Sequence, residues 1–230
     1  MKLFPYIILF FLLTGCIKET KPQAASHPAA TTLPDDAAAE IAPGRFRPDT
    51  AKVYLDSTYK GDSSFLVISK RELRLNVYAV MKGDTVLVAR YPVCLAQRKG
   101  QKQESGDMTT PESSPEVPFY ITEIVDSHTW KHDFGDGRGE ILSYGPWFMR
   151  LKTPFPGIGI HGSTSNAHKV PGRDSEGCIR LRDADLEHFK SHYARVGMPV
   201  IIKTETQGRL PYEVTAMKSP GHATTSQVPQ

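Results

Sequence analysis

The chain has 230 residues, with 28 Lys and Arg against 25 Asp and Glu, for a formal net charge of +3. That length suits one domain of ordinary size plus appendages. With no Lys/Arg-rich run, so modest a charge gives no reason to expect a nucleic-acid partner. The three cysteines, Cys16, Cys94 and Cys178, are too few and too odd in number for a disulfide-stapled scaffold.

The chain opens with a positively charged start, Met1-Lys2, and an almost wholly apolar run over residues 3–13, then reads L-T-G-C up to Cys16. A short apolar run with a small-residue exit is the pattern of a secretory signal and is too short to span a bilayer comfortably. The L-T-G-C ending resembles a bacterial lipobox. By that resemblance, residues 1–15 are a signal peptide and Cys16 becomes a lipidated first residue, tethering the protein to a membrane outside the cytoplasm. Whether that membrane is inner or outer is left open. Residues 16–48 are rich in Ala, Pro and Thr and show no sustained apolar period, so they read as a flexible leash. Pulled straight, such a leash would reach about 100 Å.

The folded part is expected over residues 49–213, and its texture is mostly β. Strands are predicted at 65–70, at 73–80 (Leu73, Leu75 and Val77 on one face) and at 84–93, the last two joined as a hairpin by the M-K-G-D-T turn. Further strands are predicted at 118–125, 146–151, 158–161 and 198–203. One helix is predicted at 183–193, with Leu186, Phe189 and Tyr193 on one face and Asp183 as N-cap. Several short strands with one or two helices predict a mainly β domain, a β-sandwich or partly open barrel. Residues 214–230 are polar and read as a disordered tail.

Residues 174–181 read D-S-E-G-C-I-R-L. Taken alone, Cys178 could be a small buried hydrophobe, half of a disulfide, a metal ligand or a nucleophile. A nucleophilic cysteine needs a base and a pair of donors for the oxyanion, because an isolated thiol titrates at about 8.5. His161 ends an apolar strand and is followed by Gly162, whose carbonyl could hold the imidazole. Gly177 precedes Cys178, where a tight turn could aim two backbone N–H groups at one point. The polar segment between them reads as a loop over a cleft.

The pattern I-H-G…S-x-G-C-I-R resembles the signature of the L,D-transpeptidase catalytic domain, the YkuD-like family. Other pieces agree in order: L-x-V-Y, Y-P-V, G-D-M-T-T-P-E, and Y-G-P-W-F before G-I-G-I-H-G. The resemblance implies a β-rich L,D-transpeptidase-like fold with Cys178 as nucleophile, His161 as general base and Gly162 orienting the histidine through its carbonyl. Gly177 and Cys178 would supply oxyanion N–H groups. Arg180, Ser175, Glu176 and Tyr144 become substrate-binding candidates. The implied reaction is acyl transfer on peptidoglycan stem peptides. The thiolate attacks the carbonyl of the third stem residue, D-alanine leaves, and an amine of another stem or of a protein takes the acyl group from the thioester.

One position departs from the pattern. The family usually reads S-H-G-C, whereas this chain has Glu176 before Gly177. A carboxylate there can hold an acceptor ammonium or repel a substrate carboxylate, and it disfavours the thiolate; Arg180 or Arg173 is the expected neutralising partner. Two other readings therefore stay open: a cysteine hydrolase on the same fold, and an inactive wall-binding lipoprotein.

The remaining candidates have plainer readings. Cys94 reads as a buried, inert thiol. His128 and His132 have i, i+4 spacing but sit in an irregular stretch with no third ligand, and residues 133–140 lack the ligand spacing of a calcium loop. No metal or cofactor is expected. His168 reads as a surface loop residue, and Tyr144 and Trp147 as core or cleft lining. A monomer is expected.

Overall fold

The computed structural model describes residues 53–54, 63–81 and 83–218, with 53–54 and 215–218 as backbone only. The expected signal peptide, Cys16, the whole of the leash and the end of the tail lie outside the described residues.

The run S-F-L-V-I-S forms β2 (Ser64–Ser69), in which Leu66, Val67 and Ile68 are all fully buried. A strand buried on both faces reads as a continuous apolar run rather than an alternating one. The hairpin expected next is present as β3 (Arg74–Met81) and β4 (Asp84–Pro92), paired antiparallel. Leu73, expected as the first strand residue, instead has φ +52° and closes the preceding turn. The short β1 (Val53–Tyr54) pairs with β4 at the sheet edge. Next come β5 (Cys94–Ala96), β6 (Phe119–Asp126), β7 (Lys131–Asp133), β8 (Glu140–Leu142), β9 (Trp147–Lys152) and β10 (Gly159–His161). β11 (Gly172–Ser175), β12 (Ile179–Arg180), helix α1 (Asp183–His192), β13 (Pro199–Lys203) and helix α2 (Pro211–Lys218) complete the described chain.

Eleven strands form one mixed sheet in the order β1-β4-β3-β2-β13-β6-β9-β10-β12-β5-β11, and β7 and β8 form a separate hairpin. The mainly β expectation holds, and the sheet does not close into a barrel. The main core joins Leu66, Ile68, Val77 and Tyr91 to Ile160, Ile179, Leu186 and Phe189. A second cluster on Val67, Tyr78, Leu87 and Ile201 is covered by Tyr212 of α2, whose ring meets Tyr78 and Phe65 edge-on at 5.6 and 5.4 Å. The buried Lys203–Glu213 pair (2.7 Å) ties α2 to β13. Helix α2 therefore runs past residue 213, where the folded part was expected to end, because Tyr212 and Glu213 both find partners on the sheet.

Asp183 is not the N-cap. Arg182 holds that position without a side-chain cap, and Asp183 is the first helical residue. Its carboxylate instead accepts the Ser163 N–H (2.8 Å), the Thr164 N–H (3.0 Å) and the Thr164 hydroxyl (2.7 Å). An acidic side chain in the first helical turn is favoured by the helix dipole. Here it also pins the chain that leaves β10.

Candidate active site

Strand β10 runs parallel to β12 with Ile160 opposite Ile179 and His161 opposite Arg180. Side chains alternate across a strand, so His161 and Arg180 project from the face opposite the buried Ile160 and Ile179. Cys178 stands one residue before β12. All three side chains line one cavity of about 190 Å³, together with Lys102, His132, Phe134, Tyr144, Glu176 and Gly177.

His161 is buried, and its Nδ1–H donates to the Gly162 carbonyl at 2.7 Å. A carbonyl only accepts, so this bond fixes the neutral tautomer and leaves the lone pair on Nε2. Burial pulls the imidazole pKa down to about 3, and the nearby positive charge of Arg180 acts in the same direction. The ring stays neutral at ordinary pH and can act as a base. Gly162 is required here by close approach. A Cβ on it would lie 2.3 Å from Asp183 Oδ1 and 2.7 Å from Gly145 Cα.

Cys178 is partly exposed, and its thiol donates to the Gly157 carbonyl at 3.3 Å. Burial by its surroundings pushes the thiol pKa up, and Glu176 adds to this. A backbone bond from Gly159 and the charges of Arg180 and Lys102 work the other way. The resting site therefore pairs a neutral thiol with a neutral imidazole on the wall of one cavity.

Ser175 does not reach the cavity. It is fully buried, its hydroxyl donates to the Cys178 carbonyl (2.6 Å), and its oxygen accepts the Gly177 N–H (3.3 Å). It holds the 175–178 turn in shape rather than touching substrate. The Gly177 N–H, expected as an oxyanion donor, is engaged by the Ser175 oxygen through this long contact. Gly177 has φ +152°, and a Cβ there would sit 2.9 Å from Ile158 Cδ1, so the turn is built for glycine.

Arg180 is buried beneath Phe134, 5.0 Å from the ring centroid, and reaches Asp174 through its backbone carbonyl (3.2 Å) and carboxylate (3.6 Å). Arg173 is bound to Glu205 (2.8 Å) and the Lys70 carbonyl (2.9 Å). Neither arginine pairs with Glu176; its partner is His132, with Nε2 to Oε2 at 3.2 Å. Tyr144 lines the cavity, with its ring centroid 4.9 Å from that of His161. Burial pushes its phenol up. Trp147 packs partly buried against the core with Lys190 3.8 Å over its ring. Cys94 is fully buried, and His168 is exposed. His128 pairs with Asp126 (2.8 Å), not with a site shared with His132.

Lys102 and His132 line the cavity although the sequence reading did not place them at the site. Lys102, nearly buried, is held by Asp107 (2.7 Å) and the Thr109 carbonyl (3.5 Å). His132 enters from β7, outside the main sheet. The wall that carries Lys102 is anchored by buried Lys70, which donates to Glu112 (2.8 Å) and to the Gly100 carbonyl (2.7 Å). The T-T-P-E stretch therefore serves this wall through structure: Thr110 accepts the Ala96 N–H (3.1 Å), and Glu112 meets Lys70.

The family model of the L,D-transpeptidase catalytic domain (YkuD) matches residues 63–202. No curated protein matches the chain. Among solved structures, the chain is similar to an L,D-transpeptidase from Mycobacterium smegmatis, with 16% identity over 62% of this chain and 59% of that one and a TM-score of 0.43. It is also similar to the helical cell shape determining protein Pgp2 from Campylobacter jejuni, with 21% identity over 72% and 54% and a TM-score of 0.47. A third is an L,D-transpeptidase from Stackebrandtia nassauensis, with 16% identity over 66% and 60% and a TM-score of 0.40. The chain thus spans 54 to 60% of the length of these proteins.

Proposed function

Because the chain belongs to the L,D-transpeptidase catalytic-domain family, we propose that it is an acyltransferase of the cell wall that works through a Cys178 thioester. The observation that carries this reading is the His161 imidazole, held through Nδ1 by the Gly162 carbonyl at 2.7 Å, on the wall of the cavity that Cys178 also lines. His161 takes the thiol proton as sulfur attacks the carbonyl of the third stem residue. The backbone N–H groups at Gly177 and Cys178 receive the developing oxyanion. His161 then gives its proton to the leaving D-alanine amine, and an amine of a second stem or of a protein resolves the thioester. Arg180, Tyr144 and Glu176 bind the peptide around the thiol.

The test is intact-protein mass spectrometry of the full chain mixed with tetrapeptide-stem muropeptides. The mass should rise by the stem less D-alanine, and digestion should place the adduct on Cys178. An adduct elsewhere, or none, would defeat the reading.

A second reading, hydrolysis, is favoured by the solvent exposure of Glu176 and His132 at the cavity mouth, 41% and 32%, where water also has access to a thioester. The proposal further includes a lipid on Cys16 after removal of residues 1–15, supported by the apolar run and the L-T-G-C ending. Such an anchor would hold the domain outside the cytoplasm. Labelled palmitate should enter the wild-type chain and not Cys16→Ser.

A further inference from the structure

Where the family pattern carries an imidazole before the Gly-Cys pair, this chain carries Glu176, yet an imidazole reaches the same cavity from another element. His132 of β7 lies with Nε2 3.2 Å from Glu176 Oε2, and both side chains remain partly open to solvent. The His132 ring is fixed edge-on to Phe134 at 4.5 Å and faces Tyr144 at 6.3 Å. The titratable and charged groups that share its cavity are Glu176, Tyr144, His161, Cys178, Lys102 and Arg180, and Arg180 is turned to Asp174. A carboxylate accepts, so the neutral His132 ring places its N–H at Nε2 toward Glu176 and keeps the lone pair at Nδ1.

Charge assigns this pair a partner. Among the described residues lining the cavity, Lys102 and Arg180 are cations, and Glu176 is the one carboxylate. An acceptor amine arrives protonated, because a side-chain amine of lysine type titrates near 10.4. It must lose a proton before it can attack. In the acyl-enzyme His161 is neutral again and carries the amine's last proton back to the sulfur, so the acceptor's first proton goes to another base.

We propose that His132, backed by Glu176, is the acceptor-side base of the second half-reaction; this rests on the acyl-transfer reading above. Glu176 draws in the ammonium group, and His132 Nδ1 takes one proton from it. The freed nitrogen attacks the thioester carbonyl, so that a C–N bond forms and the C–S bond breaks. The amine's second proton passes through His161 to the leaving Cys178 sulfur, restoring thiol and neutral imidazole. The His132 imidazolium, at the open mouth, gives its proton to water. The net change is one ammonium and one thioester converted to one amide, one thiol and one proton.

The experiment separates the two half-reactions in the full chain and in His132→Gln and Glu176→Gln, with the melting temperature read alongside. Single-turnover D-alanine release from a tetrapeptide stem reports acylation. Decay of the acyl-enzyme mass on adding a diamino-acid stem reports aminolysis across pH. Measured against each variant's own acylation rate, aminolysis at pH 7 should fall by about 10²-fold in His132→Gln, the usual worth of a general base. The deficit should close as pH approaches the amine's own pKa, since a free amine needs no base; a purely structural loss would not close. Equal losses in both half-reactions at every pH, or aminolysis at the wild-type rate in both variants, would overturn the proposal. If wild type forms no acyl-enzyme at all, the acyl-transfer reading itself fails, and this base fails with it.

Discussion

Gly162→Ala tests how the base is held. A methyl at Gly162 would stand 2.3 Å from Asp183 Oδ1, 2.7 Å from Gly145 Cα and 3.2 Å from Pro146 Cδ. The first two fall short of ordinary contact by about 1 Å, on the usual heavy-atom separation of 3.5–4.0 Å. Asp183 cannot swing aside cheaply, because it holds the Ser163 and Thr164 N–H groups and the Thr164 hydroxyl. Gly145 is backbone. Residue 162 itself must then move, carrying with it the carbonyl that orients His161. Overpacking of this kind costs about 1–3 kcal/mol, a fall in melting temperature of roughly 2–12 °C for a domain of this size. A misplacement of about 1 Å in a catalytic group costs on the order of 10²-fold in rate. Differential scanning calorimetry and single-turnover D-alanine release measure the two effects. Wild-type stability together with a wild-type rate would refute the claim that Gly162 is fixed by close approach and orients the base.

Cys178→Ala should abolish acyl transfer while urea unfolding stays near wild type, since the thiol lies on the cavity wall; residual acylation would remove it as nucleophile. His161 should also register in acid. Its folded pKa, about 3, lies below its ordinary 6.5, so its contribution to stability is complete above pH 6.5 and drains away as pH falls toward 3. The slope is about 1.4 kcal/mol per pH unit. Wild type should thus lose about 2 kcal/mol more than His161→Gln between pH 7 and 5, and equal losses in urea melts would contradict the buried neutral ring. Glu213→Ala leaves Lys203 buried and unpaired and should cost about 3–5 kcal/mol. The Lys203→Met/Glu213→Leu pair should cost less, and the reverse ranking in urea would show that α2 is not held by that ion pair.

The sequence exposes much of the sheet because β2, β3, β4 and β13 bury regular apolar sets that periodicity reveals. β5, β11 and β12 escape it: they are two to four residues long, and β11 is wholly polar or glycine. They exist as strands because β11 and β12 both pair with β5, a long-range fact that no local pattern carries. Asp183 looks like an N-cap from position alone, but three donors on the segment after β10 take its carboxylate. Cys178 and His161 are legible as a motif, each next to a glycine, Gly177 and Gly162, whose need is geometric. Ser175 is legible as a motif member but not as a buried brace of the turn. Lys102 and His132 are single residues on distant segments, and only the fold brings them to the cavity. Glu176 shows as a departure in the sequence, while its His132 partner shows only in space.

The central claim is acyl transfer through Cys178, and the most direct measurement is product analysis by mass spectrometry after incubating the full chain with tetrapeptide-stem muropeptides. The account predicts dimers joined through the third residues of two stems, one D-alanine released per bond, and neither product with Cys178→Ala. Shortened stems without dimers would contradict transfer and make water the acceptor. Unchanged stems, or dimers formed equally well by Cys178→Ala, would contradict the account at its root.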